Sequence, residues 1–103
     1  LGETPAQTLV REVREETGLW VEIERLIGVY SGHEFEWTYP NGDQAQIVSI
    51  FFRCRVLEGQ LTPDHREFVS LGYHAPDRLP PLMPRYVRMV RDALAGRAEA
   101  FFD

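Results

Sequence analysis

With 103 residues, 44% of them hydrophobic and 26% charged, the chain has the composition of one ordinary globular domain over 1–103, which excludes the disordered, fibrous and membrane classes. A net charge of -5 excludes a densely basic surface, so neither nucleic acid nor a membrane is an expected partner, and a phosphate would be bound through a cation. No apolar run approaches the ~18 residues that span a bilayer, the first residues show no leader-like pattern, and the single Cys54 cannot form an internal disulfide, so a cytoplasmic location is expected.

The first predicted element is a helix, Thr4 to Thr17. Thr4 is placed to cap it, Pro5 suits the first helical position, Gln7 can complete a capping box, and Gly18 supplies the left-handed residue that ends it. From Leu19 to Tyr30 the sequence turns β-branched and aromatic, with Trp20, Val21, Ile23, Ile27 and Val29, the pattern of a strand with room for a bulge. Tyr39-Pro40-Asn41-Gly42-Asp43 is turn chemistry and predicts a hairpin tip or loop. Ile47 to Val56 alternates as a strand. Val48, Ile50, Phe52, Cys54 and Val56 form the face expected to be core, and Ile47, Ser49, Phe51, Arg53 and Arg55 a mixed face. Glu58-Gly59-Gln60 turns the chain, Thr62 to Phe68 reads as a loop or single turn, and Val69 to His74 as a short strand. A closing helix starts at Pro84 and stops at Gly96, with Tyr86, Met89, Val90, Ala93 and Leu94 as its buried stripe and Arg85, Arg88 and Arg91 as a solvated face.

The first helix carries the chemistry. Each helical residue advances about 100°, so Glu12, Glu15 and Glu16 share one face, while Ala6, Leu9, Val10 and Val13 lie on an arc roughly 110° away that is free to pack. Like charges at three- and four-residue spacing cost a few tenths of a kcal/mol per pair. A solvated acidic face would tolerate that cost; Mg²⁺ or Mn²⁺ on these hard oxygen donors would reverse it and bring phosphate to an acidic surface.

The flanking residues separate the two readings. Glu3, seven residues, then Arg11-Glu12-Val13-Arg14-Glu15-Glu16-Thr17-Gly18-Leu19 resembles the Nudix box of the Nudix (MutT-like) hydrolases, and average composition gives such a match odds on the order of 10⁻⁸ at a given start point. The resemblance implies an α/β (α+β) fold, a Nudix-type α/β/α sandwich with a mixed sheet between the two helices. It implies Mg²⁺-dependent hydrolysis of a pyrophosphate bond in a small-molecule nucleoside diphosphate derivative. Position by position, Glu12, Glu15 and Glu16 match the metal-binding glutamates, with Glu15 either a ligand or a base acting through water. Arg11 matches the arginine that orients them, Glu3 the acid that pairs with that arginine, and Gly18 the turn glycine. The complete box opens with a glycine six residues before Glu3, whereas this chain begins two residues before it. The expectation is an N-terminally truncated domain lacking the usual first strands, with an open sheet edge that invites a homodimer.

Other candidates are less specific. Glu67, before the short strand, resembles an extra acidic residue of many Nudix enzymes, a ligand or general base, or is a surface carboxylate. Arg53 and Arg55 share a strand face that can hold phosphate or simply face water. Phe35, Trp37 and Tyr39 alternate before the turn and can stack a nucleobase or pack a hairpin. His33, His65 and His74 make no zinc pattern with Cys54, and no nucleophile elbow or P-loop is present. The alternative function is a non-catalytic Nudix module that senses a nucleotide or binds a protein, against which the intact glutamate set argues. A chain extended at the N-terminus is expected to melt above this one; equal melting temperatures would contradict the truncation.

Overall fold

A computed structural model describes residues 2–32, 36–62 and 71–102. The candidates His33, Phe35, His65 and Glu67, and most of the loop from Thr62 to Phe68, lie outside the described residues. The elements in chain order are α1 (Pro5–Thr17), β1 (Leu19–Tyr30), β2 (Glu36–Thr38), β3 (Gln44–Gln46), β4 (Ser49–Gly59), α2 (Pro84–Leu94) and β5 (Phe101–Phe102). This is a mixed α+β fold. One sheet has the order β4-β1-β5 and the other pairs β2 with β3. Among the described residues no helix is long and apolar enough to cross a membrane. Contacts group the chain into two compact units, Leu1–Glu24 with Cys54–Pro80, and Arg25–Arg53 with Pro81–Asp103.

In the first unit α1 is closed at both ends as its sequence dictates. The Thr4 hydroxyl accepts the Gln7 N–H at 3.2 Å and the Gln7 side chain accepts the Thr4 N–H at 3.0 Å, the reciprocal bonds of a capping box. Gly18 caps the other end at φ 80°, its N–H reaching the Arg14 carbonyl. The chain enters β1 at the next residue, where Leu19 and Val21 are buried. None of the apolar arc of α1 is fully buried. Trp20 stays 40% exposed with the Arg14 guanidinium 4.0 Å from its ring centroid.

The second unit packs around Tyr30 and Met89, against which Phe51 and Phe101 lie. Ile27 and Tyr30 are wholly enclosed, and burying a side chain of that size contributes about 1.5–3 kcal/mol. A buried hydroxyl needs a partner. The Tyr30 hydroxyl donates to Asp92 at 2.8 Å, and the Arg88 guanidinium lies 5.3 Å from the Tyr30 ring centroid. Burial first, then Asp92, push the Tyr30 hydroxyl up to about 12. The predicted turn is the tip of a hairpin: Trp37 faces Ala45 across β2 and β3, and the Tyr39 N–H donates to the Asp43 carbonyl. β5 runs parallel to β1 with Gly28 opposite Phe101.

Several expectations are corrected. On β4 the packed residue is Phe51, from the face read as mixed, while Ile50 and Val56 remain 39% and 44% exposed and Val48, just before the strand, 61%; the strand is half-covered on both sides, so alternation does not identify an inside. Residues 71–74 form no strand. In α2 only Met89 is buried; Tyr86 and Leu94 are exposed. Arg88 covers an aromatic ring instead of facing water alone, because a guanidinium can lie flat on a π face.

The hydroxyl of Tyr30 is protonated at neutral pH and its proton is held more tightly folded than unfolded. Its contribution is therefore full below about pH 10 and is lost as pH rises toward about 12. Tyr30→Phe should lower stability by about 1.5–3 kcal/mol at pH 7, the range for a hydrogen bond to a charged group. Urea unfolding at pH 7 and near pH 11.5 measures both, and the gap between variant and wild type should narrow at the higher pH.

Candidate functional site

On the carboxylate face of α1 the Arg11 guanidinium bridges two glutamates. Glu3 lies just before the cap, and Arg11 reaches back to it: the Arg11 Nε donates to both Glu3 oxygens at 3.0 and 3.1 Å. Its Nη1 donates forward to Glu15 Oε2 at 3.1 Å. The Thr8 hydroxyl adds a bond to Glu3 at 3.3 Å. Arg11 thus spans a carboxylate before the helix and one in its last turns. The hydrogen bond and charge of Glu3 hold the Arg11 guanidinium above its ordinary range, so it stays a fixed cation. The partners are exposed, and exposed ion pairs add little to stability. The effect of Arg11 is on position.

Glu12 and Glu15 are exposed and Glu16 is partly enclosed. Three hard oxygen donors on one helix suit Mg²⁺ or Mn²⁺ in chemistry. Among the described residues no three His, Cys, Asp or Glu side chains converge on a point that could hold a metal. Arg11 bonds Glu15 as well as Glu3, and like-charge pairs at three- and four-residue spacing are destabilising without a counter-charge. The donor set therefore fits such a cation by type and by shared helix face. A mostly apolar groove of about 560 Å³ is lined by Val10, Trp20, Val21 and Ile23 together with Arg11, Arg14 and Glu15.

Of the remaining predicted residues, Arg55 is paired with Glu22. Arg53 is exposed on β4. Trp37 and Tyr39 are 47% and 49% exposed on the hairpin of the second unit. Burial, then the charge of Glu24, pushes the Cys54 thiol up, which keeps it from acting as a thiolate at neutral pH. Sequence reasoning missed Thr17, whose hydroxyl donates to the Val13 carbonyl at 2.6 Å and accepts the Leu19 N–H at 3.2 Å. A threonine in a last helical turn was the available signal. It also missed Arg14 over Trp20, whose six-residue spacing has no regular period.

A family model described as the NUDIX domain matches residues 1–93. This chain belongs to the NUDIX family. Within it, the chain is 32% identical over 84 residues to the NAD-capped RNA hydrolase NudC of Vibrio vulnificus, an alignment covering 82% of this chain and 28% of that protein. It is 40% identical over 60 residues to the ADP-ribose pyrophosphatase of Methanocaldococcus jannaschii, covering 58% of this chain and 32% of the relative. An ADP-ribose pyrophosphatase structure from Streptococcus suis superimposes with a TM-score of 0.72 at 27% identity, covering all of this chain and 75% of the other. The chain thus spans about a third or less of the length of these two curated relatives. The resemblance read from the NUDIX box is borne out, and the Glu3–Arg11–Glu15 bridge lies inside the matched region.

Arg11→Lys replaces the planar fork by a point charge that cannot bond both Glu3 oxygens and Glu15 together. The expected outcome is a denaturation midpoint close to wild type with metal affinity or turnover reduced about 10–100-fold, the cost of losing a group that orients ligands. Equilibrium unfolding and metal titration of the variant check both halves.

Proposed function

We propose that this chain carries the catalytic machinery of a pyrophosphohydrolase that uses Mg²⁺ or Mn²⁺ to cleave a nucleoside diphosphate linked to a further moiety. The observation that carries the reading is the Glu3–Arg11–Glu15 bridge on a helix that also presents Glu12 and Glu16. Related proteins are named for nucleotide derivatives, ADP-ribose and NAD-capped RNA. A small nucleotide suits this chain better than an RNA body, because a net charge of -5 provides no basic track for a polyanion.

Glu12 and Glu16 are the direct metal ligands in this reading, with Glu15 completing the set or taking a proton from the attacking water. When bound, the cation offsets the charge of the phosphate oxygens and favours in-line attack by water. Arg11 orients Glu15 through its hydrogen bond. Glu67 is the other candidate for the proton. Arg53 or Arg55 can hold a phosphate by its fork, and Trp37 and Tyr39 can stack a base. Arg55 would first have to leave Glu22. A cytoplasmic location and a homodimer remain parts of this proposal.

Glu16→Gln keeps the size and helix propensity of the side chain while removing its charge. It should abolish Mg²⁺-dependent hydrolysis of nucleoside diphosphate derivatives, by about 10³-fold or more if the lost charge costs ~4 kcal/mol in the transition state, with an unchanged far-UV circular dichroism spectrum. Undiminished formation of the nucleoside monophosphate and the second phosphomonoester by the folded variant would refute the assignment.

A further inference from the structure

At its C-terminal end the carboxylate helix meets the backbone that follows β4. β4 ends at Gly59 with φ 100°, and a Cβ there would stand 2.4 Å from the carbonyl oxygen of Gly18. In the other direction, a Cβ on Gly18 would stand 2.7 Å from the carbonyl oxygen of Gln60 and 3.3 Å from the Thr62 Cβ. The closest obstructing atoms are backbone, so no side-chain rotation could relieve the crowding. Three residues after Gly59, the Thr62 N–H donates to the Thr17 carbonyl at 2.7 Å, taking up one of the carbonyls that every helix leaves without an internal partner. The Thr62 hydroxyl bonds the Gln60 carbonyl at 3.1 Å and so braces the same turn.

We propose that Gly59 and Thr62 form a backbone clasp that holds the last turn of α1, and with it Glu15 and Glu16, where they can gather a divalent cation. Gly59 is then a positioning residue for the reaction proposed above, and the inference rests on that reading. Glu16 is two residues from Gly18. A shift of Gly18 large enough to admit a methyl group moves the final turn, and displacement of a reacting constellation by about 1 Å can cost 10²-fold in rate. The absence of a side chain at 59 is thus a requirement of the helix it touches as well as of its own turn.

Gly42 supplies the control. Its φ of 92° is equally left-handed, yet nothing stands within 4 Å of a Cβ built on it, so Gly42→Ala introduces backbone strain without touching α1. The test compares the whole chain with Gly59→Ala and Gly42→Ala, using Mn²⁺ binding by calorimetry, kcat and KM for a nucleoside diphosphate sugar, and circular dichroism. Gly59→Ala should weaken Mn²⁺ binding and lower kcat by about 10-fold or more, with KM changed by less than about twofold, the pattern of a lost transition-state interaction. Gly42→Ala should match wild type in both despite a lower denaturation midpoint. A folded Gly59→Ala protein with wild-type Mn²⁺ affinity and kcat would overturn the clasp alone, whereas a Glu16→Gln variant that still turns over would overturn the reaction itself. If Gly59→Ala does not fold, amide exchange at Thr62 in the wild-type chain decides: strong protection supports the clasp, and exchange at the rate of an open amide overturns it.

Discussion

Helix α1 must become strand β1 within a single residue, and Gly18 is that residue. The constraint is steric. The chain turns through a left-handed conformation, a side chain there would collide with the Gln60 carbonyl, and Leu19 is already buried. Moving this point would shift the carboxylates on one side of it or the buried start of β1 on the other. Thr17 bonds across the same turn through its hydroxyl, so the junction is fixed by hydrogen bonds as well as by contact.

Upstream of that junction α1 separates packing from chemistry by angle. Ala6, Leu9, Val10 and Val13 lie on one arc and Glu12, Glu15 and Glu16 on another, an arrangement open to any amphipathic helix. What distinguishes this helix is the treatment of its charge. Three glutamates within five residues repel, and Arg11 offsets part of the cost while tying Glu15 to Glu3. Because these groups are exposed, their energetic contribution to folding is small. Under the proposed function, a bound cation would offset the repulsion that remains on this face.

The elements that depend on local chemistry were legible in the sequence. Caps and turn residues fix α1, Gly18, the hairpin tip at Asn41-Gly42 and the start of α2 at Pro84, because each needs a particular side chain or φ. The Glu3–Arg11 pair was legible only through resemblance, since nothing local joins a residue before the helix to one two turns into it. The inside of β4 and the buried stripe of α2 were not legible. Phe51, Val48, Tyr86 and Leu94 differ in burial through what packs on them, and periodicity does not encode the partner. β5 was missed because Phe101-Phe102 is too short to show alternation. The approach of Gly59 to Gly18 joins residues 41 apart in sequence and left no local trace beyond two glycines.

The central claim is the proposal that a divalent cation binds on the carboxylate face of α1. Paramagnetic broadening of backbone amide resonances by substoichiometric Mn²⁺ tests it directly, with Ca²⁺ as a diamagnetic reference. The account predicts that the amides from Glu12 to Glu16 broaden first and that excess Mg²⁺ restores them. Broadening centred elsewhere in the chain, or none at these residues, would contradict it.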